Sequence, residues 1–299
     1  MTTTIPTVTI KDRQTAKAGF NMATSKLHTK LPWLIILFSV CYIATMLVLS
    51  YLIDIQNMNV FGLKDWVAVK GVYETPIFWL HMFREGSLTE NLQWAFLGAA
   101  VFLTAIIGII RFKATRKVPW VWILLLIGLY VMFLEDIENI RHTTSAMIGS
   151  TYFGFDTSTM EWRTSSVRSA IEIAFYFILG SIMVTALVYI LKDQGSRLLG
   201  KKFFLTGYFF YGTAAVFSAT RNVGDWYAVV GAKAIDFVSR GAEISLPGDS
   251  YVYGRDPLGF WFMDFVVEES LELIGASFLL AGLTVFLTTA KHTKTVTFK

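Results

Sequence analysis

The sequence predicts an all-α membrane protein, a polytopic helical bundle of about six transmembrane helices with both termini in the cytoplasm. Three observations carry that expectation. Only 16% of the 299 residues are charged and 54% are hydrophobic, against roughly 25% charged in soluble domains. The apolar residues collect into six stretches, each near the ~20 residues a helix needs to cross the hydrocarbon core. Lys and Arg gather in alternate connections between those stretches, the distribution of loops kept on the cytoplasmic side.

The first stretch, Leu31–Ile53, follows a segment too long and too polar for a cleaved signal peptide, so it reads as an uncleaved anchor. Next come Glu90–Ile110, Val118–Glu138, Ser166–Leu191, Phe203–Asn222 and Glu268–Thr289. An open strand edge in lipid would leave backbone groups unpaired, which makes each a helix. Pro32 and Pro119 are expected in first turns, where a missing N–H costs little. The chain thus divides into a cytoplasmic segment (1–30), a six-helix transmembrane domain (31–289) and a cytoplasmic tail (290–299).

Orientation follows from the basic residues. Lys11, Arg13, Lys17, Lys26 and Lys30 precede the first span, and Arg111, Lys113, Arg116 and Lys117 follow the second. Lys192, Arg197, Lys201 and Lys202 follow the fourth, and Lys291, Lys294 and Lys299 lie in the tail. All four regions fall on one side, the cytoplasmic one. The opposite connections (54–89, 139–165 and 223–267) carry Trp66, Tyr73, Trp79, Trp162, Trp226, Tyr251 and Trp261, which suits an interfacial aromatic belt. Thr75–Glu85 is apolar but too short to span, and is expected as an interfacial helix beside the outer end of the second span.

Counting one membrane thickness from each basic anchor brings acidic residues to a common depth near the outer surface. Glu90, Asn91 and Gln93 open the second span; Glu135, Asp136 and Glu138, with His142, close the third. Arg168 and Glu172 open the fourth, Arg221, Asn222 and Asp225 close the fifth, and Asp264, Glu268, Glu269 and Glu272 open the sixth. Helical spacing puts Glu135, Glu138 and His142 on one face and Asp264, Glu268 and Glu272 on another. Arg168–Glu172 and Arg221–Asp225 form i, i+4 pairs. A charge facing hydrocarbon costs roughly 2.5–3.5 kcal/mol at a helix centre, so the deeper groups should face one another or a watery cavity.

A charged residue at a helix end often does no more than mark that end, and this account serves Glu90, Asp225 and Asp264 taken singly. It serves less well for the carboxylates stacked between Asp264 and Glu272. Acids outnumber nearby arginines, so protons or a cation should supply the balance. A divalent metal ion, its identity open, is the sharper version, with Glu138, His142, Glu172, Glu269 and Glu272 as candidate ligands. Arg168 and Arg221 would balance charge, with Glu135, Glu268, Asp264, Asp225 and Glu90 in secondary positions. His142 as a solvated helix-end residue stands beside the ligand reading.

Other chemistries find no foothold. The chain has no E-x-x-H, H-E-x-x-H, G-x-S-x-G, Walker or G-x-G-x-x-G motif, and no basic, aromatic-interleaved segment for nucleic acid. Cys41 is the single cysteine and has no histidine at its depth. Gly98, Gly108, Gly180 and Gly275 suggest close helix packing. Tyr208, Tyr211, Thr213, Ser218 and Thr220 make the fifth span the most polar, through interhelical hydrogen bonds or a cavity lining.

At SLTENLQW (87–94), FLEDIENIRH (133–142) and VVEESLELIGA (266–276), the chain resembles a loose group of uncharacterised bacterial multi-helix membrane proteins. That resemblance implies location in the inner (plasma) membrane and carries no established activity. Three functions are open: an outward-facing acidic, cation- or metal-binding pocket, catalytic or not, for a lipid-like or small substrate; a proton- or cation-coupled transporter; and a structural accessory subunit. The expected partners are the lipid bilayer and either a second copy or another membrane protein. The cytoplasmic halves of the spans carry no charge, which disfavours transport.

Overall fold

The computed structural model describes residues 10–71, 77–159, 165–193, 197–221, 223–240 and 257–296, and among them the chain is helical with no strand. It is a multi-pass membrane protein: five of its helical stretches are long and apolar enough to cross a bilayer. Those segments are Lys30–Ile55, Phe78–Thr115, Trp120–Glu138, Ser166–Lys192 and Leu258–Ala290. The remaining predicted span is the helix Leu198–Thr220. Its 23 residues reach about 35 Å, and its Tyr, Thr and Ser residues leave it less apolar than the others. Tyr73, Trp162, Asn222 and Tyr251 lie outside the described residues.

Helix α1 (Ile10–Ser50) starts well before the expected boundary at residue 30, so no break in the helix marks that boundary. Pro32 accordingly lies inside the helix and not in its first turn, where it removes one backbone hydrogen bond. Pro119 is the N-cap of its helix. After α1, the chain forms α2 (Leu63–Gly71) and α3 (Phe78–Phe83). Helix α3 lies beside the start of α4 (Leu88–Thr115), and its apolar side chains turn into the protein. Phe78, Trp79, Leu80 and Phe83 are buried, most of them against Phe265 and Val266. Asp54 accepts from the Phe78 and Trp79 amides at 2.8 and 3.1 Å, satisfying orphan donors at the α3 start. Tyr227 is likewise wholly buried and Trp79 nearly so, so the aromatic connections build the protein's own interior as much as a belt.

The remaining helices are α5 (Trp120–Glu138), α6 (Ile140–Phe153), α7 (Ser166–Lys192), α8 (Leu198–Thr220), α9 (Trp226–Ser239), α10 (Leu258–Trp261) and α11 (Glu269–Val296), the last entered through a π-helical segment, Phe262–Glu268. Helix α11 is central and mostly buried. It packs against α1, α4 and α8, and α5 and α7 close a ring that runs α11, α4, α5, α7, α8 and back. The antiparallel α8–α11 contact is intimate because glycines face each other along it. A Cβ on Gly207 would stand 2.9 Å from the Leu279 backbone nitrogen, and one on Gly275 2.9 Å from that of Tyr211. Gly98 and Gly108 also meet neighbours, Phe133 and Trp122, whereas Gly180 faces open space and packs against nothing.

Half of the ring is filled. Leu97, Leu125, Leu129 and Leu283 are wholly buried there, with Ile107, Phe204 and Phe286. At that end Arg111 pairs with Asp193 at 3.2 Å and Lys201 donates to the Leu191 carbonyl, so these basic connections share one end of the bundle. The acidic residues occupy the other.

Candidate functional site

The charged end is organised by a break in the helix. Asn139 adopts a left-handed backbone (φ +49°) and stops α5, and α6 restarts at Ile140. The turn folds Arg141 back on Glu135. The Arg141 backbone N–H donates to Glu135 Oε2 at 2.7 Å and its Nε lies 3.0 Å from Oε1. Arg141 is almost fully buried and also donates to Tyr176 on α7 (2.5 Å) and Ser218 on α8 (3.1 Å). On α7 the predicted Arg168–Glu172 pair forms at 2.7 Å. The predicted Arg221–Asp225 pair does not: Arg221 reaches Asp264 at 2.5 Å, and Asp225 is exposed at the start of α9.

His142 links these ion pairs. Its Nδ1 is 2.9 Å from Glu172 Oε1, and its Nε2 lies 3.2 and 3.3 Å from guanidinium nitrogens of Arg141 and Arg221. Arg168 stands 3.1 Å from Nδ1 as well, so guanidinium donors face both ring nitrogens and the Glu172 carboxylate lies beside Nδ1. Three arginines are thus matched by three carboxylates: Arg141 by Glu135, Arg168 by Glu172 and Arg221 by Asp264.

Deeper in the bundle lie Asp136, Glu268, Glu269 and Glu272, and none forms an ion pair among the described residues. Their partners are uncharged. Gln93 on α4 donates from Nε2 to Asp136 and to Glu272, each at 2.7 Å, and the Tyr211 hydroxyl donates to Asp136 at 2.7 Å. The Tyr227 hydroxyl donates to Glu268 at 2.5 Å. Among the described residues, Glu269 Oε2 is shielded from solvent without a hydrogen-bond partner, as is Oε1 of Gln93, a residue only 1% exposed.

A cavity of about 230 Å³ opens inside the ring. Its upper wall holds Glu90, Glu135, Asp136, Asp264, Glu268, Glu269 and Glu272, with Arg141 and Arg221. Its deep end is apolar: Met132, Leu179, Met183, Val184 and Leu279, with Tyr208. From Glu269 to Leu279 is ten residues of α11, or about 15 Å.

No family model matches this chain, and neither a curated protein nor a solved structure shows significant similarity to it.

The sequence-predicted residues are therefore divided. Glu269, Glu272, Glu268, Glu135, Asp264, Glu90 and Arg221 line the cavity. His142, Glu172 and Arg168 form the ionic lattice outside its wall, and Glu138 is exposed at the last turn of α5. Glu90 also accepts a hydrogen bond from the Gly86 amide just before α4, so it caps the helix as well as lining the cavity. Among the described residues no three His, Cys, Asp or Glu side chains are grouped as a metal ion would require. Sequence reasoning did not assign roles to Arg141, Gln93, Asp136 or Tyr227, whereas Tyr211 makes the interhelical hydrogen bond and lines the cavity as its span's polarity suggested. The signal for Tyr211 was the polar character of its span, and for Gln93 and Asp136 their depth.

Proposed function

We propose that this membrane protein binds a cation in its carboxylate-lined cavity, with Asp136, Glu268, Glu269 and Glu272 as the gripping groups. The observation that carries the proposal is the charge account. Every arginine at the site is matched by a carboxylate, and Glu90, Asp136, Glu268, Glu269 and Glu272 line the cavity without an ion pair among the described residues. Removing a carboxylate from water costs several kcal/mol unless a counter-charge or proton accompanies it. A cation in the cavity neutralises several of these groups together. The distribution of Lys and Arg supports access from the outer side of the inner membrane. A divalent metal is the narrower form of the proposal, and it requires the Gln93 amide to leave its place between Asp136 and Glu272.

Thermal unfolding of the purified protein at constant ionic strength tests this with sodium, magnesium, calcium, manganese and methylammonium chlorides. A ligand at 100 times its Kd stabilises by about 2.7 kcal/mol, enough to raise Tm by several degrees. At least one cation should do so. Glu269→Gln should remove the response, and Asp156→Asn, at an exposed loop remote from the cavity, should keep it. A wild-type protein indifferent to all five salts, or a Glu269→Gln variant that still responds, leaves the acids as interhelical contacts in a structural subunit.

A further inference from the structure

The cavity has a second feature that its charge does not explain: it is open sideways. Gly180 and Val184 of α7 and Gly212 and Ala215 of α8 line it, and Gly180, Val184 and Gly212 are also exposed. Residues that both line a cavity and stand on the surface mark a gap in the wall. A Cβ placed on Gly180 or on Gly212 would meet nothing within 4 Å, so these glycines do not serve close packing. Of the helix contacts that close the ring, the one between α7 and α8 is the sparsest.

The depth of this gap is fixed by the helices that frame it. Gly180 lies eight residues beyond Glu172 on α7, and Gly212 nine residues before Arg221, or about 12 and 14 Å from the charged end. In a hydrocarbon core about 30 Å thick, that is close to the midplane. The surrounding surface agrees. Phe177, Phe209 and Val216 flank the gap at 75%, 67% and 58% exposure. No charged residue stands on α7 between Glu172 and Lys192, or on α8 between Lys202 and Arg221. The gap therefore opens on lipid chains and not on water.

We infer that the cation held by this cavity is the head of a single-chain amphiphile, a long-chain primary ammonium compound, which enters from the hydrocarbon layer between α7 and α8 and leaves its tail in that gap. The inference rests on the cation-binding reading and specifies its ligand. The cavity is polar at one end and apolar at the other over about 15 Å, which matches a head and the first part of a chain. Glu269 lines the cavity, and its shielded Oε2 lacks a donor among the described residues. An ammonium group brings three N–H donors and a positive charge, whereas a quaternary head brings no donor, and among the described residues no three acids are grouped as a metal ion would require. A charged head drawn through hydrocarbon is costly, so the amine leaves its proton to water, crosses the gap neutral and takes a proton from a carboxylic acid group of the cavity, which becomes the carboxylate that holds the ammonium head.

The test compares dodecylamine, methylamine and dodecanol, by calorimetry on the full chain in nanodiscs with empty nanodiscs as baseline, at a pH where both amines are protonated in water. Wild-type protein should bind dodecylamine at least tenfold more tightly than either methylamine or dodecanol. Gly180→Leu, Gly212→Leu and Val184→Phe each add bulk where the wall is open. Each should lower the ratio of dodecylamine to methylamine affinity at least tenfold, and three separate variants guard against one that folds poorly. An unchanged ratio in every folded variant, or dodecanol binding as tight as dodecylamine, overturns the lateral amphiphile. Absence of binding by both amines, or amine binding that Glu269→Gln leaves unchanged, also overturns the inference, and the cation site itself falls when the melting test with the five salts fails as well, which tells the two results apart.

Discussion

At the residue scale, Arg141 decides more than any other side chain. It is 5% exposed and holds α5, α6, α7 and α8 together through Glu135, Tyr176 and Ser218. Removing one partner of a buried ion pair costs about 3–5 kcal/mol, because the other charge is left stranded, whereas replacing both by apolar groups costs far less. Arg141→Met should therefore lower the thermal midpoint steeply, and Glu135→Leu combined with Arg141→Met should recover most of the loss. A double variant no more stable than Arg141→Met would show that the guanidinium matters through Tyr176 and Ser218 alone. This residue was hidden from sequence reasoning for a geometric reason. Spacing arithmetic assumes one unbroken helix through FLEDIENIRH, which groups Glu135, Glu138 and His142. The left-handed Asn139 breaks that helix, so Glu138 turns outward and Arg141 turns in. The Arg168–Glu172 pair, which lies within regular α7, was legible for the converse reason.

At the element scale, Leu31–Ile53, Val118–Glu138 and Ser166–Leu191 were legible to within two residues at each end, because hydrocarbon thickness sets the length and apolar composition of a span. The stretches that begin at Phe78 and Leu258, by contrast, start ten or more residues before the predicted Glu90 and Glu268. What sequence could not supply was which helices touch. The glycines show this, since a glycine read as a packing contact has two opposite meanings here. Gly207 and Gly275 bring the backbones of α8 and α11 into contact, whereas Gly180 leaves a hole. Gly207→Ala should force those helices apart, an overpacking loss of about 1–3 kcal/mol. Gly180→Ala has room, and alanine is favoured over glycine inside a helix by about 0.5–1 kcal/mol. Melting curves of the two variants should thus move in opposite directions. Equal losses would mean that the α7–α8 wall closes in the membrane. The π-helical segment before α11 was also invisible to spacing, and it matters for the site. Asp264, Glu268 and Glu272, expected to share one face, all line the cavity, and each reaches a different partner: Arg221, Tyr227 and Gln93.

At the scale of the whole molecule, the bundle is asymmetric along its axis, and the asymmetry bears on transport. Charge, cavity and ionic lattice occupy one end, and the interior of the other is packed with leucine, isoleucine and phenylalanine. Below the cavity floor at Leu279 and Met183, the ring closes on Leu125, Leu129 and Leu283, each 0% exposed. Thr104, wholly buried in this half, donates back to the Ala100 carbonyl of its own helix at 2.8 Å, and no charged side chain stands among those core residues. A charge forced through it would lose its hydration without compensation, which costs several kcal/mol even after relaxation. A transporter needs either a continuous polar route or a midplane site reached from both sides, and this ring supplies neither. Proteoliposomes carrying a sodium, potassium or proton gradient should therefore hold it as long as protein-free liposomes do, while the same preparation still answers cations in a melting assay. A gradient that collapses faster with wild-type protein, and not with Glu269→Gln, would mean that the apolar half opens in the membrane and that the cavity is one station on a path.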